Sequence, residues 1–303
     1  QSSVAITSTV DGEGNHGGLV GDATAPVKIN NCVFSGSITG AKTNQCGGLV
    51  GWIGTNGAGS KITNSLITAT YSVNGSGSNS VAINAQNATI SNVYFLNALG
   101  DHPAGAEQVS DAQMKSGYVA WHLQDGQGSA VWGQSINGTR TDAAPLFSTE
   151  AAKKVYRVAH VSSLDNKVMQ EKFYNAGQKA EGLSTASLSS YVNNNYKDVL
   201  TRWFQVTDAG KVTSPVSADQ NVKVTIKNNE FFSISNAETW KQFCDYVNDI
   251  SPKVSAKMTS NVTLDASSPM AGTKKAYAGK FDGGSYTLTV NYTGSGQATA
   301  PFN

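Results

Sequence analysis

The chain has 303 residues, of which 14% are charged, and its formal net charge at pH 7 is +1. A charge balance this close to neutral excludes the basic footprint of a general nucleic-acid binder, so no nucleic-acid partner is expected. Glycine contributes 31 residues while methionine contributes only 4. This composition disfavours long helical bundles and favours a β-rich extracellular module with many short strands.

Hydropathy and cysteine content set two further limits. No run approaches the roughly 20 apolar residues that a membrane-spanning helix needs, so no membrane insertion is expected within this chain. The three cysteines, Cys32, Cys46 and Cys244, are too few for a disulfide framework. We therefore predict buried free thiols. A Cys32–Cys46 bridge stays open if these residues fall in adjacent coils.

An internal repeat opens the chain. Gly17–Gly21, with the sequence Gly-Gly-Leu-Val-Gly, recurs as Gly47–Gly51, and a degenerate third copy occupies Ser80–Asn84. An Ile-x-Asn element follows each copy, so that the period is about 30 residues. Short β-runs with Gly and Asn at the corners, repeated at fixed spacing, are typical of the layers of a β-solenoid.

Stacked layers place equivalent residues above one another. The isoleucines of the three Ile-x-Asn elements should line an apolar core, and their asparagines could form a ladder of side-chain amides. The isoleucines are Ile29, Ile62 and Ile90, and the asparagines are Asn31, Asn64 and Asn92.

A helix is predicted after the last repeat. Ser110 and Gln113 have the spacing of a capping box, with Ser110 as the N-cap. Helical spacing then continues through Met114, Tyr118 and Trp121. Because the end of a solenoid exposes unpaired backbone and apolar core, we interpret this helix as its cap.

The charge changes along the chain and suggests a boundary near Glu150. Residues 1–150 carry a net charge of −4 and residues 151–303 a net charge of +5. We predict a β-solenoid with its cap over 1–150 and a small β-rich spacer domain over 151–232. A further solenoid opening, with its own capping helix, is predicted over 233–303.

The last segment begins with a second predicted capping box, Ser235–Glu238. An apolar helix face follows it at the spacing i, i+3, i+4 and i+7, which places Cys244 in a core. The residues of this face are Trp240, Phe243, Cys244 and Val247. Strands are predicted over 257–264, 278–281 and 286–292.

The Gly17–Gly21 and Gly47–Gly51 blocks, with their Ile-x-Asn followers, resemble the GLUG motif of bacterial surface proteins. The stretch from Asp111 to Gln134 is similar to the capping end of such modules in Bacteroidota cell-surface proteins. Residues 235–302, with the turn Phe281–Gly284, resemble the opening of the same module. The middle domain is similar to the Listeria–Bacteroides repeat, on Tyr156, Arg202–Phe204 and Thr213–Val216.

The resemblance implies a mainly β fold with right-handed parallel β-helix segments and a helical cap, plus a small β-grasp-like α+β domain. It implies an extracellular location at the bacterial cell surface. The chain would begin inside one β-helix and end inside the opening of another. We therefore expect covalent tandem copies or head-to-tail self-association, which the opposite charges of the two halves would favour.

The best-defined repeats lack the residues that usually carry out catalysis. No Asp or Glu lies between Asp22 and Asp101, so these layers carry no general acid or base. Carboxylates do occur near the cap, at Asp101, Glu107, Asp111 and Asp125. The histidines, His16, His102, His122 and His160, lack metal-ligand spacing. We expect no enzyme activity, no catalytic residues, no cofactor and no metal.

Two aromatic residues in the repeats are candidates for ligand contact. Trp52 and Tyr71 could stack on sugars if they lie on an exposed face, and otherwise they pack in the core. The leading hypothesis is a non-catalytic structural or adhesive segment, with host glycans or proteins as possible partners. The alternative is an accessory or carbohydrate-binding region of a larger secreted enzyme.

Overall fold

The structure is a computed structural model that describes residues 1–124, 131–136, 138, 140–195, 204–228, 231–249, 251–292 and 300–302. The fold is mainly β and contains several parallel sheets, as the sequence predicts. The helices are α1 (Asp111–Lys115), α2 (Tyr118–Gln124), α3 (Thr185–Asn195) and α4 (Ala237–Asp249).

Short strands fill the first part of the chain, as expected where Gly and Asn recur between β-branched residues. They are β1 (Ala5–Thr7), β2 (Gly12–Glu13), β3 (Val20–Ala23), β4 (Lys28–Asn30), β5 (Val33–Phe34), β6 (Ser37–Gly40), β7 (Thr43–Asn44), β8 (Val50–Ile53), β9 (Ser60–Ile67), β10 (Thr70–Val73), β11 (Ala88–Phe95), β12 (Ala106–Gln108), β13 (Trp132–Gly133) and β14 (Leu146–Phe147).

Strands β1 to β12 pair in parallel with their equivalents in the preceding and following segments. One sheet has the order β1-β6-β10, another has the order β4-β9-β11-β12, and β2 pairs with β7 as β3 does with β8. We name the successive segments layers one to four, over residues 1–23, 28–53, 60–83 and 88–101. Layers two and three thus form main-chain hydrogen bonds with the layer before and the layer after, whereas layer one bonds to layer two.

The predicted isoleucine column is confirmed by the strand register. Ile29 and Ile90 both lie opposite Ile62, one on each side of it. Ile62 is fully buried and Ile29 almost so, whereas Ile90 is half-buried. The column therefore runs through the apolar core of this part of the chain.

The Gly-Gly-Leu-Val-Gly blocks also stack on one another. Gly17 pairs with Gly47, and Val50 pairs with Ala82 of the degenerate third copy. The spacing read from the sequence therefore corresponds to real neighbours in space, including the third copy.

The capping region contains two short helices where the sequence predicts one. The capping box is confirmed, because Ser110 Oγ accepts from Gln113 N and the Gln113 side chain accepts from Ser110 N. The helix then stops before Gly117, whose φ of +91° is a left-handed conformation that ends helices. The prediction of one continuous helix through Trp121 was wrong for this reason. Both helices contribute apolar side chains to a core that includes Trp132.

The later strands are β15 (Val155–Ser162), β16 (Val168–Asn175), β17 (Phe204–Asp208), β18 (Gln220–Asn228), β19 (Phe232–Ile234), β20 (Ala256–Met258), β21 (Val262–Asp265), β22 (Phe281–Asp282) and β23 (Leu288–Asn291). A four-stranded sheet has the order β16-β15-β18-β17, in which β17 and β18 are antiparallel. Strands β19, β20 and β22 form a parallel sheet, and β21 pairs in parallel with β23.

The chain divides into two compact units. The first comprises residues 1–158, 172–180 and 213–220, and the second comprises 159–171, 181–212 and 221–303. The predicted domains, 1–150, 151–232 and 233–303, remain predictions, since compactness does not show which segments fold independently.

Helix α4 buries the predicted apolar face in the core of the second unit, including Trp240, Phe243 and Cys244. Its N-cap differs from the prediction by one residue. Asn236 Oδ1 accepts from Thr239 N, and Thr239 Oγ1 accepts from Asn236 N. The predicted Ser235–Glu238 capping box is therefore wrong, because Thr239 rather than Glu238 occupies the reciprocating position.

Candidate ligand surface

The predicted amide ladder exists in part. The Asn92 side chain donates to Asn64 Oδ1 at 2.8 Å, and the Asn64 side chain donates to Asn30 Oδ1 at 3.0 Å. Asn31 does not take the place that the sequence predicts for it in this chain of bonds, because its Oδ1 accepts from the Trp132 indole at 3.0 Å. The asparagine side chains thus link neighbouring layers to one another and attach the cap to the second layer.

Backbone conformation explains why asparagine recurs here. Asn31, Asn64 and Asn92 have φ values of 52°, 49° and 56°, in the left-handed region that asparagine tolerates better than most residues. Each therefore turns the chain at the same corner of its layer while its amide bonds to a neighbour.

We expect Asn64→Ala to destabilise the protein by about 2 kcal/mol, from left-handed strain together with lost hydrogen bonds. Asn64→Gly keeps the conformation and should cost only about 1 kcal/mol. Chemical denaturation followed by circular dichroism measures both. Equal losses in the two variants would contradict a conformational role for Asn64.

The two candidate ligand-contact residues lie on different sheets. Trp52 lies on β8 opposite Asp22 and is half-buried. Tyr71 lies on β10 opposite Ile38 and packs against the apolar core. Its hydroxyl is buried without a hydrogen-bond partner among the described residues, and this burial raises the pKa of Tyr71. Both residues are half-buried, and only Tyr71 packs against the apolar core.

Two of the carboxylates near the cap form side-chain contacts. Glu107 accepts from the Tyr118 hydroxyl at 3.0 and 3.1 Å, and Asp111 forms an ion pair with Lys115. Asp101 pairs through its main chain with Asn79. Asp125 lies outside the described residues.

The histidines also have local partners. His16 bonds to Ser8 Oγ at 2.8 Å, His122 to the Tyr118 carbonyl at 2.9 Å, and the His102 ring packs 5.3 Å from Phe95. Within the described part of the chain, no group of three His, Cys, Asp or Glu side chains could hold a metal ion. No described helix is long and apolar enough to cross a membrane.

The sequence did not predict an aromatic cluster around Trp121. The Trp121 indole donates to both carboxylate oxygens of Asp219 at 3.1 Å, and the Arg157 guanidinium lies 5.4 Å from its ring centre. Phe173 lies 6.0 Å away. Because Asp219 is 98 residues from Trp121, no local pattern could have joined them.

Two hollows lie along β11. One, of about 480 Å³, is lined by residues of the third and fourth layers together with His102 and Ala104. The other, of about 460 Å³, lies beside Asn92, Gly105 and Glu107. Neither involves Trp52 or Tyr71, so the sequence predicted neither.

Comparisons with protein-family models, with curated proteins and with solved structures find no match to this chain.

All three cysteines are free thiols in the structure. Cys46 and Cys244 are buried, whereas Cys32 is half-buried. Burial, assisted by the nearby Asp245 charge, raises the pKa of Cys244 to about 12 from an ordinary value near 9.

This raised pKa predicts a pH dependence of stability. Above pH 9 the unfolded thiol ionises while the folded thiol stays neutral, so ionisation lowers the free energy of the unfolded state but not that of the folded state. The contribution of Cys244 is therefore complete below pH 9 and is lost as the pH rises towards 12. Denaturation at stepped pH should give a shallower alkaline decline in Cys244→Ala than in Cys32→Ala. Equal slopes would contradict this assignment.

Proposed function

We propose that the chain is a non-catalytic structural and adhesive segment of a bacterial extracellular surface protein. Its stacked layers are proposed to form a right-handed parallel β-helix, with residues 151–232 as a small β-grasp-like spacer. The observation that carries the proposal is the parallel register of four successive layers around the Ile29, Ile62 and Ile90 column. Such stacking gives length and rigidity with few charged groups, which suits a scaffold.

The first layer suggests how copies join. Strands β1, β2 and β3 have one paired edge each, and no described strand covers the other. Unpaired strand edges favour addition of another strand. We propose that a further parallel layer covers this edge in the surface protein, from a tandem copy or from a second molecule stacked head to tail.

Glycine positions provide a sharp test of head-to-tail stacking. A Cβ on Gly51 would lie 1.8 Å from the carbonyl oxygen of Asn15 in the preceding layer, while a Cβ on Gly21 meets nothing closer than 3.9 Å. If another layer stacked on β3 as the first layer stacks on β8, its main chain would lie as close to a Cβ on residue 21 as Asn15 O lies to a Cβ on Gly51. Gly21→Ala should therefore leave the fold intact and prevent stacking.

The measurement is sedimentation velocity with negative-stain electron microscopy across a concentration series. The wild-type chain should form strings that lengthen with concentration, and Gly21→Ala should stay monomeric. Gly75→Ala is the matched control, because its exposed site has no neighbour within 4 Å. A wild-type chain that stays monomeric throughout overturns head-to-tail assembly and restricts the array to covalent copies.

A carbohydrate-binding role is the second candidate function, because part of the Trp52 side chain is exposed and could contact a sugar. Glycan-array binding that is lost in Trp52→Ala and retained in Tyr71→Phe would favour it, because the Tyr71 hydroxyl is buried. Binding that is unchanged in Trp52→Ala would contradict it.

A further inference from the structure

The free edge of β11 is distinct from the edge used in the proposed array. Strand β9 pairs with β11 from Ala88 to Phe95, but on the other side β12 pairs only with Val93, Tyr94 and Phe95. No described strand covers the outer side of residues 88–92. The first residues of this long strand, from Ala88 to the N–H of Ile90, therefore present an open edge.

The direction of the main-chain groups on this edge follows from the parallel pairing. Lys61 N donates to the Val27 carbonyl and so faces β4. Because main-chain groups alternate in direction along a parallel strand, Ile62 faces β11. By the same alternation, Thr89 faces β9, while Ala88 and Ile90 face outwards.

Two of these outward groups are available to a ligand. The Ala88 N–H donates to the Ala85 carbonyl, but neither the Ala88 carbonyl nor the Ile90 N–H has a partner among the described residues. The Ile90 carbonyl is approached by Gly105, where a Cβ would lie 2.0 Å from its oxygen. The edge thus presents one acceptor and one donor, at the spacing that one residue of an added parallel strand satisfies.

The 480 Å³ hollow lies beside these two residues. Its lining includes Ala88, Ile90, Asn84, Gln86 and His102, and none of its lining residues is an Asp, Glu, Lys or Arg. A charged occupant would lose its hydration there without an opposite charge to compensate, so the lining favours an uncharged one.

The column of isoleucines specifies the side chain at the centre of the occupant. Ile90 is half-buried at the hollow, whereas Ile62 is fully buried between its two neighbours. An apolar β-branched residue of the occupant, placed opposite Ile90, would cover the Ile90 side chain. Ile90 covers the Ile62 side chain in the same way. Burial of this apolar surface adds a favourable term to the main-chain hydrogen bonds.

The surroundings limit the occupant to a single short strand. Asp101 already pairs with Asn79 at one side of the hollow, and β12 already covers Val93–Phe95 at the other. A whole layer of a second copy would need both positions. We therefore propose that the open edge of β11 binds an extended, uncharged peptide segment with a central β-branched residue, as an added parallel strand.

The test uses the acetylated and amidated peptide Ala-Thr-Ile-Ser-Asn, whose sequence equals residues 88–92, and the intact chain. In the proposed register, its Thr N–H donates to the Ala88 carbonyl and its Thr carbonyl accepts from the Ile90 N–H. Titration followed by amide NMR should show saturable binding with a shift of the Ile90 amide. N-methylation of the peptide Thr should weaken binding about tenfold, because one hydrogen bond is removed.

N-methylation of the peptide Ile is the matched control, because that N–H faces away from β11 and binding should stay unchanged. On the protein, Ala104→Tyr should fill the hollow and abolish binding, whereas Ala98→Tyr, exposed and outside the lining, should not. Circular dichroism verifies that both variants fold. The proposal is overturned by absence of saturable binding, by equal binding of the two N-methyl peptides, or by binding that survives Ala104→Tyr.

Discussion

Replacing Gly51 with alanine is expected to destabilise the protein by about 3 kcal/mol, because overpacking against rigid backbone forces the layers apart. The added Cβ would lie 1.8 Å from Asn15 O and 2.5 Å from Gly21 O, and both atoms belong to the main chain of the first layer. No side-chain rotation can relieve either clash. Chemical denaturation gives the loss in unfolding free energy.

Gly21→Ala is the matched control for this substitution, since Gly21 has the same position in the first Gly-Gly-Leu-Val-Gly block. Its added Cβ would have ordinary clearance, so the stability should stay within about 0.5 kcal/mol of the wild type. If both variants lose equal stability, the close stacking of the layers cannot be the cause.

Truncation of Ile62 to alanine is expected to cost about 4 kcal/mol, because the side chain is fully buried at the centre of the isoleucine column and its removal leaves a cavity. Ile62→Val removes one methylene and should cost about 1 kcal/mol. Denaturant titration of the two variants measures these losses.

The same truncation at Ile90 is the internal comparison. Ile90 lies opposite Ile62 but has a neighbour on one side only and is half-buried. Ile90→Ala should therefore cost about 2 kcal/mol, roughly half the loss at Ile62. A loss at Ile90 as large as at Ile62 would mean that the column is enclosed beyond β11.

The repeat was predictable from the sequence because each layer needs the same residues at the same places. Isoleucine occupies the buried position, and asparagine tolerates the left-handed corner that follows it. These requirements act locally, so they leave a periodic pattern. The stacked glycine blocks were found for the same reason.

Other details depend on contacts that no local pattern records. Gly21 and Gly51 look equivalent in sequence, and only the presence of a preceding layer distinguishes them. The break at Gly117 was missed because the helical spacing continues across it. The hollow at β11 arises where residues after Asp101 cross to β12 without completing a layer, which spacing alone does not reveal.

Nearest-neighbour pairing has a consequence for how such a chain can change in length. Since the described strands of layers one to three pair with equivalents in adjoining layers, a duplicated layer could be inserted between two of them and meet the same partners on both sides. Growth by copies of a whole layer therefore requires no new complementary surface.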